Sequence, residues 1–428
     1  MNRCRLVPAL VVAAALAAGC TSSARSAVSA TGSADITTTT QSAQATDAPA
    51  TDAPATDLPA GAYVSVITDG EVDNPQFDQF ENDITRLLDQ AGLPGGSLLV
   101  VQHGELVEQE AWLEYDLGTV VPIASGSKWL TAATIMTLVD DGVIALDSPI
   151  STYVPQTAGA RVGAITMRQL LSFTSGLTSD EMVPCADDPA VTLQDCAAEM
   201  LRMGVVHAPG EVFRYGGQHL FVAAAIAEVV TGESFAQMFH DRIAAPLRMD
   251  HTAFLQVQTR EYDPALVDHP SPAGSAVSTL GDYGRFLEMI YHRGVAPDGT
   301  RLLSDEAITE MQTNQIEDAD YGAAAAFRVA TEAPYGLGEW IDWTDAQGAA
   351  TVLSSDGAFG FRPWIDYEND LFGVYLIDDR GEGYVEGDPF APAADGGKVH
   401  TSGLWIFEWV AEALGGSLPE QQYPFRRR

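Results

Sequence analysis

Two patterns of apolar positions divide the chain. SLLVVQHGELVEQEAWL (97–113) is two aliphatic runs interrupted at His103-Gly104, which predicts a hairpin. Four more short β-type segments, 336–343, 349–354, 358–366 and 371–378, are separated by Gly, Asp and Asn. The last, LFGVYLID, is apolar almost throughout, as a buried strand is. Between the two groups the pattern is helical. Thr166 with Gln169 forms a Thr-x-x-Gln capping box, Thr279 with Asp282 a weaker one, and Ser304 precedes Asp305 and Glu306. Segments 127–141 and 218–231 are apolar on every side and predict buried helices, and GLWIFEWVAEAL (403–414) predicts a closing helix. Strands at both ends with helices between them predict an α+β fold. It has a mainly antiparallel sheet flanked by N- and C-terminal helices, an inserted all-α subdomain over roughly 115–330, and a cleft between the two parts.

The first 61 residues follow neither pattern. Arg3 and Arg5 precede LVPALVVAAALAAG and Cys20, an apolar run too short for an ordinary membrane-spanning helix but right for a signal peptide over 1–19. The ending LAAGC resembles a bacterial lipoprotein signal, which makes Cys20 the expected lipidation site; ordinary secretory cleavage nearby is the alternative. Residues 20–61, rich in Ser, Thr, Ala and Pro with ATDAP-like repeats, predict a flexible tether ahead of a domain over 62–428. The expected location is extracytoplasmic, with membrane attachment through the lipidated N-terminus. In that oxidising setting Cys185 and Cys196, left after Cys4 in the signal and Cys20, are expected to form a disulfide.

Charge narrows the function. The 428 residues carry a formal charge of −37; the signal contributes +2 and the tether −3, so the domain carries −36. Such a surface excludes a nucleic-acid partner, whose binding begins with clustered cations. The chain has 20 Arg and only two Lys, Lys128 and Lys398. A lysine can surrender its proton when buried, whereas arginine does not, so Lys128 is a candidate base. The eight histidines show no H-E-x-x-H or other metal spacing and no Gly-rich phosphate loop is present, so neither a metal nor a cofactor is expected.

In PIASGSKWLTAATIMTLVDDG (122–142), Ser125 opens a helix and Lys128 follows three residues on, on the same face. A helix N-terminus favours a developing oxyanion, and flanking Trp129, Leu130, Ile135 and Met136 would desolvate the amine and lower its pKa. A serine nucleophile with a lysine base follows. Alone, a Ser-x-x-Lys is a weak signal, since a Ser cap before a solvated lysine has the same spacing.

The surrounding blocks strengthen it. IASGSKWLTAATIMTLVDDGVIALDSPISTYVP (123–155), ITMRQLLSFTSGL (165–177), PGEVFRYGGQHLFVAAAIAEVVTGESFAQMFHDRIAAPLRMDHTAF (209–254) and SPAGSAVSTLGDYGRFLEMI (271–290) resemble, in order and spacing, the serine β-lactamase-related superfamily. Its members include class C β-lactamases, D-alanyl-D-alanine carboxypeptidases and family VIII esterases. The resemblance resumes less strongly over 335–378. It implies acylation at Ser125, with Lys128 as base and Tyr215 sharing protons with both. It further implies an oxyanion hole from the N–H groups of Ser125 and Ala358.

Three positions depart from the family pattern. Phe173 stands where a histidine is usual. The second motif reads Tyr215-Gly216-Gly217, with Gly217 in place of a substrate-binding Asn. The third reads Ser355-Asp356-Gly357 in place of Lys-Thr-Gly or His-x-Gly. An acid at Asp356 repels anionic substrates unless Arg362 compensates, which ranks a small neutral acyl ester above a β-lactam. The rivals are a β-lactamase or D,D-peptidase acting on cell-wall-like material and a catalytically silent binding protein of the same fold.

Overall fold

A computed structural model describes residues 62–178, 183–188, 190–255, 269–323, 333–379, 406 and 409–415. The expected signal, Cys20, the tether, the start of the closing helix and the last part of the 115–330 subdomain lie outside these residues.

The elements run α1 (Asp78–Ala91), β1 (Gly95–Gln102), β2 (Glu105–Leu113), β3 (Val121–Pro122), α2 (Ser127–Asp140), α3 (Met167–Leu171), α4 (Leu193–Met203), β4 (Val212–Arg214), α5 (Gln218–Thr231) and α6 (Phe235–Phe239). They continue as β5 (Ala253–Phe254), β6 (Ala276–Ser278), α7 (Leu280–Tyr291), α8 (Asp305–Met311), β7 (Asp320–Ala323), β8 (Trp340–Thr344), β9 (Ala350–Ser354), β10 (Arg362–Asp366) and β11 (Leu371–Leu376).

The expected α+β fold is observed, but the inserted region over 115–330 is not all-α: β3, β6 and β5 form a small antiparallel sheet there and β4 pairs with β7, because short extended segments brace the helices and the Ser125 turn. Six strands form one antiparallel sheet in the order β2-β1-β11-β10-β9-β8, so the early hairpin and the late strands share a sheet. His103 and Gly104 close the β1–β2 hairpin with φ of 52° and 73°, the positive values a two-residue turn needs to match the strand twist. Alternation along β1 sends Leu99 and Val101 into a large core shared with α2, α5 and α7. Leu98 and Val100 go into a second core, with Phe80, Ile84 and Leu88 of α1 and Ile406 and Val410 near the C-terminus.

All three predicted caps form. Thr166 and Gln169 bond reciprocally at 3.3 and 3.0 Å, and the Thr279 and Ser304 side chains accept the amides of Asp282 and Ala307. Cys185 and Cys196 are joined by a disulfide. Two predicted strands are shorter than expected. Residues 336–339 form a turn with Gly338 at φ 87°, and 357–361 form another, in which the Gly357 amide donates to the Phe361 carbonyl at 2.8 Å. The expected N-terminal helix is α1, which buries Phe80, Ile84 and Leu88 at four-residue spacing on one face. Among the described residues no single helix is long and apolar enough to cross a membrane.

Candidate active site

The nucleophile turn is held from three sides. Strand β3 pairs with β6, and the Ile123 amide donates to the Ala276 carbonyl at 3.0 Å. Ser125 then lies on a single 3-10 turn, Ala124–Gly126, rather than in the first turn of α2, which begins at Ser127. Ala124 takes φ 44°, a value that disfavours a side chain. The Ser127 hydroxyl stabilises it by donating to the Ala124 carbonyl at 2.6 Å and accepting the Ala276 amide at 3.0 Å. Tyr283 donates its hydroxyl to the Gly126 carbonyl at 2.8 Å, and the Phe361 ring fills the space a Cβ on Gly126 would need.

From this turn α2 enters the core, with Ser127 to Leu138 buried without interruption. Lys128 is buried with it. Its Nζ lies 2.9 Å from Ser125 Oγ and 2.6 Å from the Ala273 carbonyl oxygen. Burial lowers the Lys128 pKa to about 7, so a neutral amine is available near neutral pH. The predicted pair is therefore in contact, with the lysine tuned as a base must be.

Tyr215 is in the site but meets Lys128 through its ring face. The ring centroid is 4.9 Å from Nζ, and the ring stacks on Trp340 at 5.2 Å and abuts Phe173 edge-on at 5.0 Å. A cation–π contact of this kind steadies the ammonium that forms once the lysine has taken a proton. At the position where the family has histidine, Phe173 packs 5.2 Å from the ring of His219. His219 is fully buried, with Nδ1 2.8 Å from the Ser175 hydroxyl, and desolvation depresses its pKa to about 3, keeping it neutral.

The third motif approaches the nucleophile through Gly357. A Cβ there would lie 2.4 Å from the Ile123 carbonyl oxygen, so only glycine lets the chain pass this close to the turn. Ala358, next in the chain, is exposed, which is compatible with the oxyanion role implied for its amide. The Ser355 hydroxyl donates to the Ser125 carbonyl at 3.2 Å, tying motif to nucleophile instead of facing a substrate. Asp356 is buried in an ion pair with Arg362, whose other Nη reaches Asp342 at 3.2 Å. Arg362 thus answers Asp356, as compensation required, while engaged by a second carboxylate. Gly217, at the N-cap of α5, leaves ordinary contact space: a Cβ there would meet Ala273 at 3.4 Å.

Sequence reasoning missed Ala273, Ser127, Tyr283 and Trp340. Ala273 contributes a backbone carbonyl, which carries no sequence signal; Tyr283 and Trp340 act across large sequence separations, and Ser127 ties its near neighbour Ala124 to the distant Ala276.

A serine hydrogen-bonded to a buried, deprotonatable lysine one turn later, at the head of a core helix beside an antiparallel sheet, is the arrangement of a Ser-x-x-Lys serine hydrolase. The family model for beta-lactamase matches residues 80–394, and the chain belongs to that family. A crystal structure of a candidate β-lactamase from Bacteroides dorei DSM 17855 is 32% identical with a TM-score of 0.68, covering 79% of this chain and 99% of that one. Penicillin-binding protein 4 of Amycolatopsis lactamdurans is 30% identical over 244 residues, half of this chain and 63% of its own length. Protein flp of Staphylococcus aureus (strain MW2) is matched over 41% of its length, so the chain spans about half the length of these curated relatives. A family VIII carboxylesterase structure, 19% identical with a TM-score of 0.55 over 72% of this chain and 93% of its own, shares the fold. Fold and family together place the chain in the β-lactamase and penicillin-binding-protein superfamily.

Proposed function

We propose that this protein is a lipid-anchored, extracytoplasmic serine hydrolase that forms an acyl-enzyme on Ser125 and prefers small neutral acyl esters. Neutral Lys128 takes the Ser125 proton across 2.9 Å as Oγ attacks the acyl carbon. The amides of Ser125 and Ala358 stabilise the oxyanion. The lysine proton passes to the leaving alkoxide as the ester C–O bond breaks, with Tyr215 assigned to share that transfer. Water then attacks the acyl-enzyme, gives its proton to Lys128, and the proton returns to Oγ as the acid leaves.

The observation that carries the substrate preference is the third motif. Ser355 replaces a cation and bonds the nucleophile's own carbonyl, while the nearby Arg362 is engaged by Asp356 and Asp342. Asp356 is answered by Arg362, which is itself held by Asp342, so the motif gives a substrate carboxylate neither the family's lysine or histidine nor an uncommitted arginine. Hydrolysis of p-nitrophenyl butyrate with little turnover of nitrocefin is the expected result; efficient nitrocefin cleavage would reverse the preference. The named relationship to a penicillin-binding protein supports the second reading, a β-lactamase or D,D-peptidase. The silent-binder reading predicts no fluorophosphonate or fluorescent-penicillin adduct on the Ser125 peptide.

A further inference from the structure

On the far side of the sheet from Ser125, where α1 covers the edge strand β2, three carboxylates converge. Glu108 and Glu110 are two residues apart on β2 and so share a face, and Glu81 faces them from the first turn of α1. One carboxylate oxygen from each lies within 4.8 Å of the others. Glu108 is completely buried; its Oε2 accepts the Asn74 amide at 3.1 Å. Glu108 Oε1, Glu81 Oε1 and Glu110 Oε2 are all buried oxygens with no hydrogen-bond partner among the described residues.

Buried acceptors without partners are costly, and three mutually repelling ones more so. A proton shared between Glu81 and Glu110 bridges only those two and leaves the buried Glu108 oxygen unanswered. A single divalent cation answers all three, and oxygens up to 4.8 Å apart match ligands on opposite sides of an ion with metal–oxygen distances of about 2.4 Å. The donor set is wholly hard oxygen. Its irregular origin, one helix and two strand positions, suits calcium, which tolerates variable geometry, better than magnesium, which demands an octahedron and retains its waters.

We propose that Glu81, Glu108 and Glu110 form a structural calcium site that clips α1 to the edge of the sheet. Histidine and cysteine spacing could not reveal it, because one ligand lies 27 positions before the next and all are carboxylates.

The test uses the full chain, stripped with EDTA and then freed of it. Thermal unfolding is followed in about 5 mM CaCl2, above the roughly 10⁻⁴–10⁻³ M range of extracellular calcium modules, and in NaCl of matched ionic strength. Calcium should raise Tm by roughly 1–3 °C. Glu81→Gln and, as a second variant, Glu110→Gln should each lose that rise. Without calcium each should unfold no earlier than the wild type, since one repelling charge is gone. Glu105→Gln, an exposed change on the same hairpin, should keep the rise. Equal wild-type Tm in the two salts overturns the proposal. So does a rise that survives in both Glu81→Gln and Glu110→Gln, which would mark general counterion binding to the anionic surface.

Discussion

Lys128 Nζ lies 2.9 Å from Ser125 Oγ, and the same nitrogen is fixed 2.6 Å from the carbonyl oxygen of Ala273. The backbone carbonyl can only accept a hydrogen bond, so one N–H of the amine is committed to it. When the amine is neutral, this leaves its lone pair able to accept from the serine hydroxyl. Geometry and burial therefore point to the same base.

The first consequence is a pH profile. Below the depressed lysine pKa of about 7 the amine is charged and cannot accept the serine proton, so kcat/KM for an ester should rise through about pH 7 to a plateau. Stability should follow the same sign. Between about 7 and the ordinary lysine value of 10.5 the unfolded chain holds a proton that the native state has lost, so this group's contribution becomes more favourable as pH rises. Lys128→Met removes that dependence and should raise Tm at neutral pH. It should also lower kcat by about 10²–10⁴-fold, as loss of a general base does. A flat pH–rate profile from 5 to 9 would remove Lys128 from the role.

Gly217→Asn tests the second motif. The backbone there is ordinary helical, with φ −82° and ψ −37°, and the nearest atom to a new Cβ is 3.4 Å away. The variant should fold with a Tm close to that of the parent. If the missing amide is what disfavours acyl-amide substrates, the ratio of nitrocefin to ester turnover should rise by about tenfold, the effect of one added hydrogen bond of about 1.4 kcal/mol. An unchanged ratio in a folded variant would assign the preference elsewhere.

Asp356→Asn tests the third motif by charge. Arg362 keeps Asp342 but loses the charge of Asp356, so the local field becomes more positive by one unit. KM for an anionic substrate such as nitrocefin should fall relative to that for a neutral ester, and the difference should shrink as salt is added. Stability should drop by about 1–3 kcal/mol, because a charge-assisted buried hydrogen bond is weakened. Denaturant melts and steady-state kinetics at two ionic strengths measure both effects.

Gly357→Ala tests the approach of that strand to the nucleophile. A Cβ 2.4 Å from the Ile123 carbonyl oxygen and 2.9 Å from Phe361 Cβ forces the motif or the turn to move. A loss of about 1–3 kcal/mol is expected from the overpacking. The fall in kcat should be larger than that stability loss alone explains, because Ala358 shifts with its neighbour. Unchanged kcat in a variant of unchanged Tm would show that the approach is not tight.

Much of the molecule was readable along the chain because the deciding interactions are short in sequence. The His103-Gly104 turn, the Thr166–Gln169 box, the buried helices at 127–140 and 218–231, and the Ser125–Lys128 pair each depend on residues within a turn or two of each other. Periodicity and local hydrogen bonding specify these without reference to the rest of the fold. Even here the strand ends moved, where tertiary contacts replaced ladder pairing by turns at 336–339 and 357–361.

The tertiary structure alone decided what those local pieces face. Packing of the sheet against α2 places Ser355 on the Ser125 carbonyl, 230 positions away, and the Tyr215 ring over the Lys128 amine. It also surrounds Arg362 with two acids and brings Glu81 to Glu108 and Glu110. The sequence by itself determined the candidate Ser125–Lys128 pair, the disulfide and the fold class. Which charges are buried, and which polar atoms are left to be answered, depends on burial and on distances across the fold, and these exist only once the chain has closed on itself.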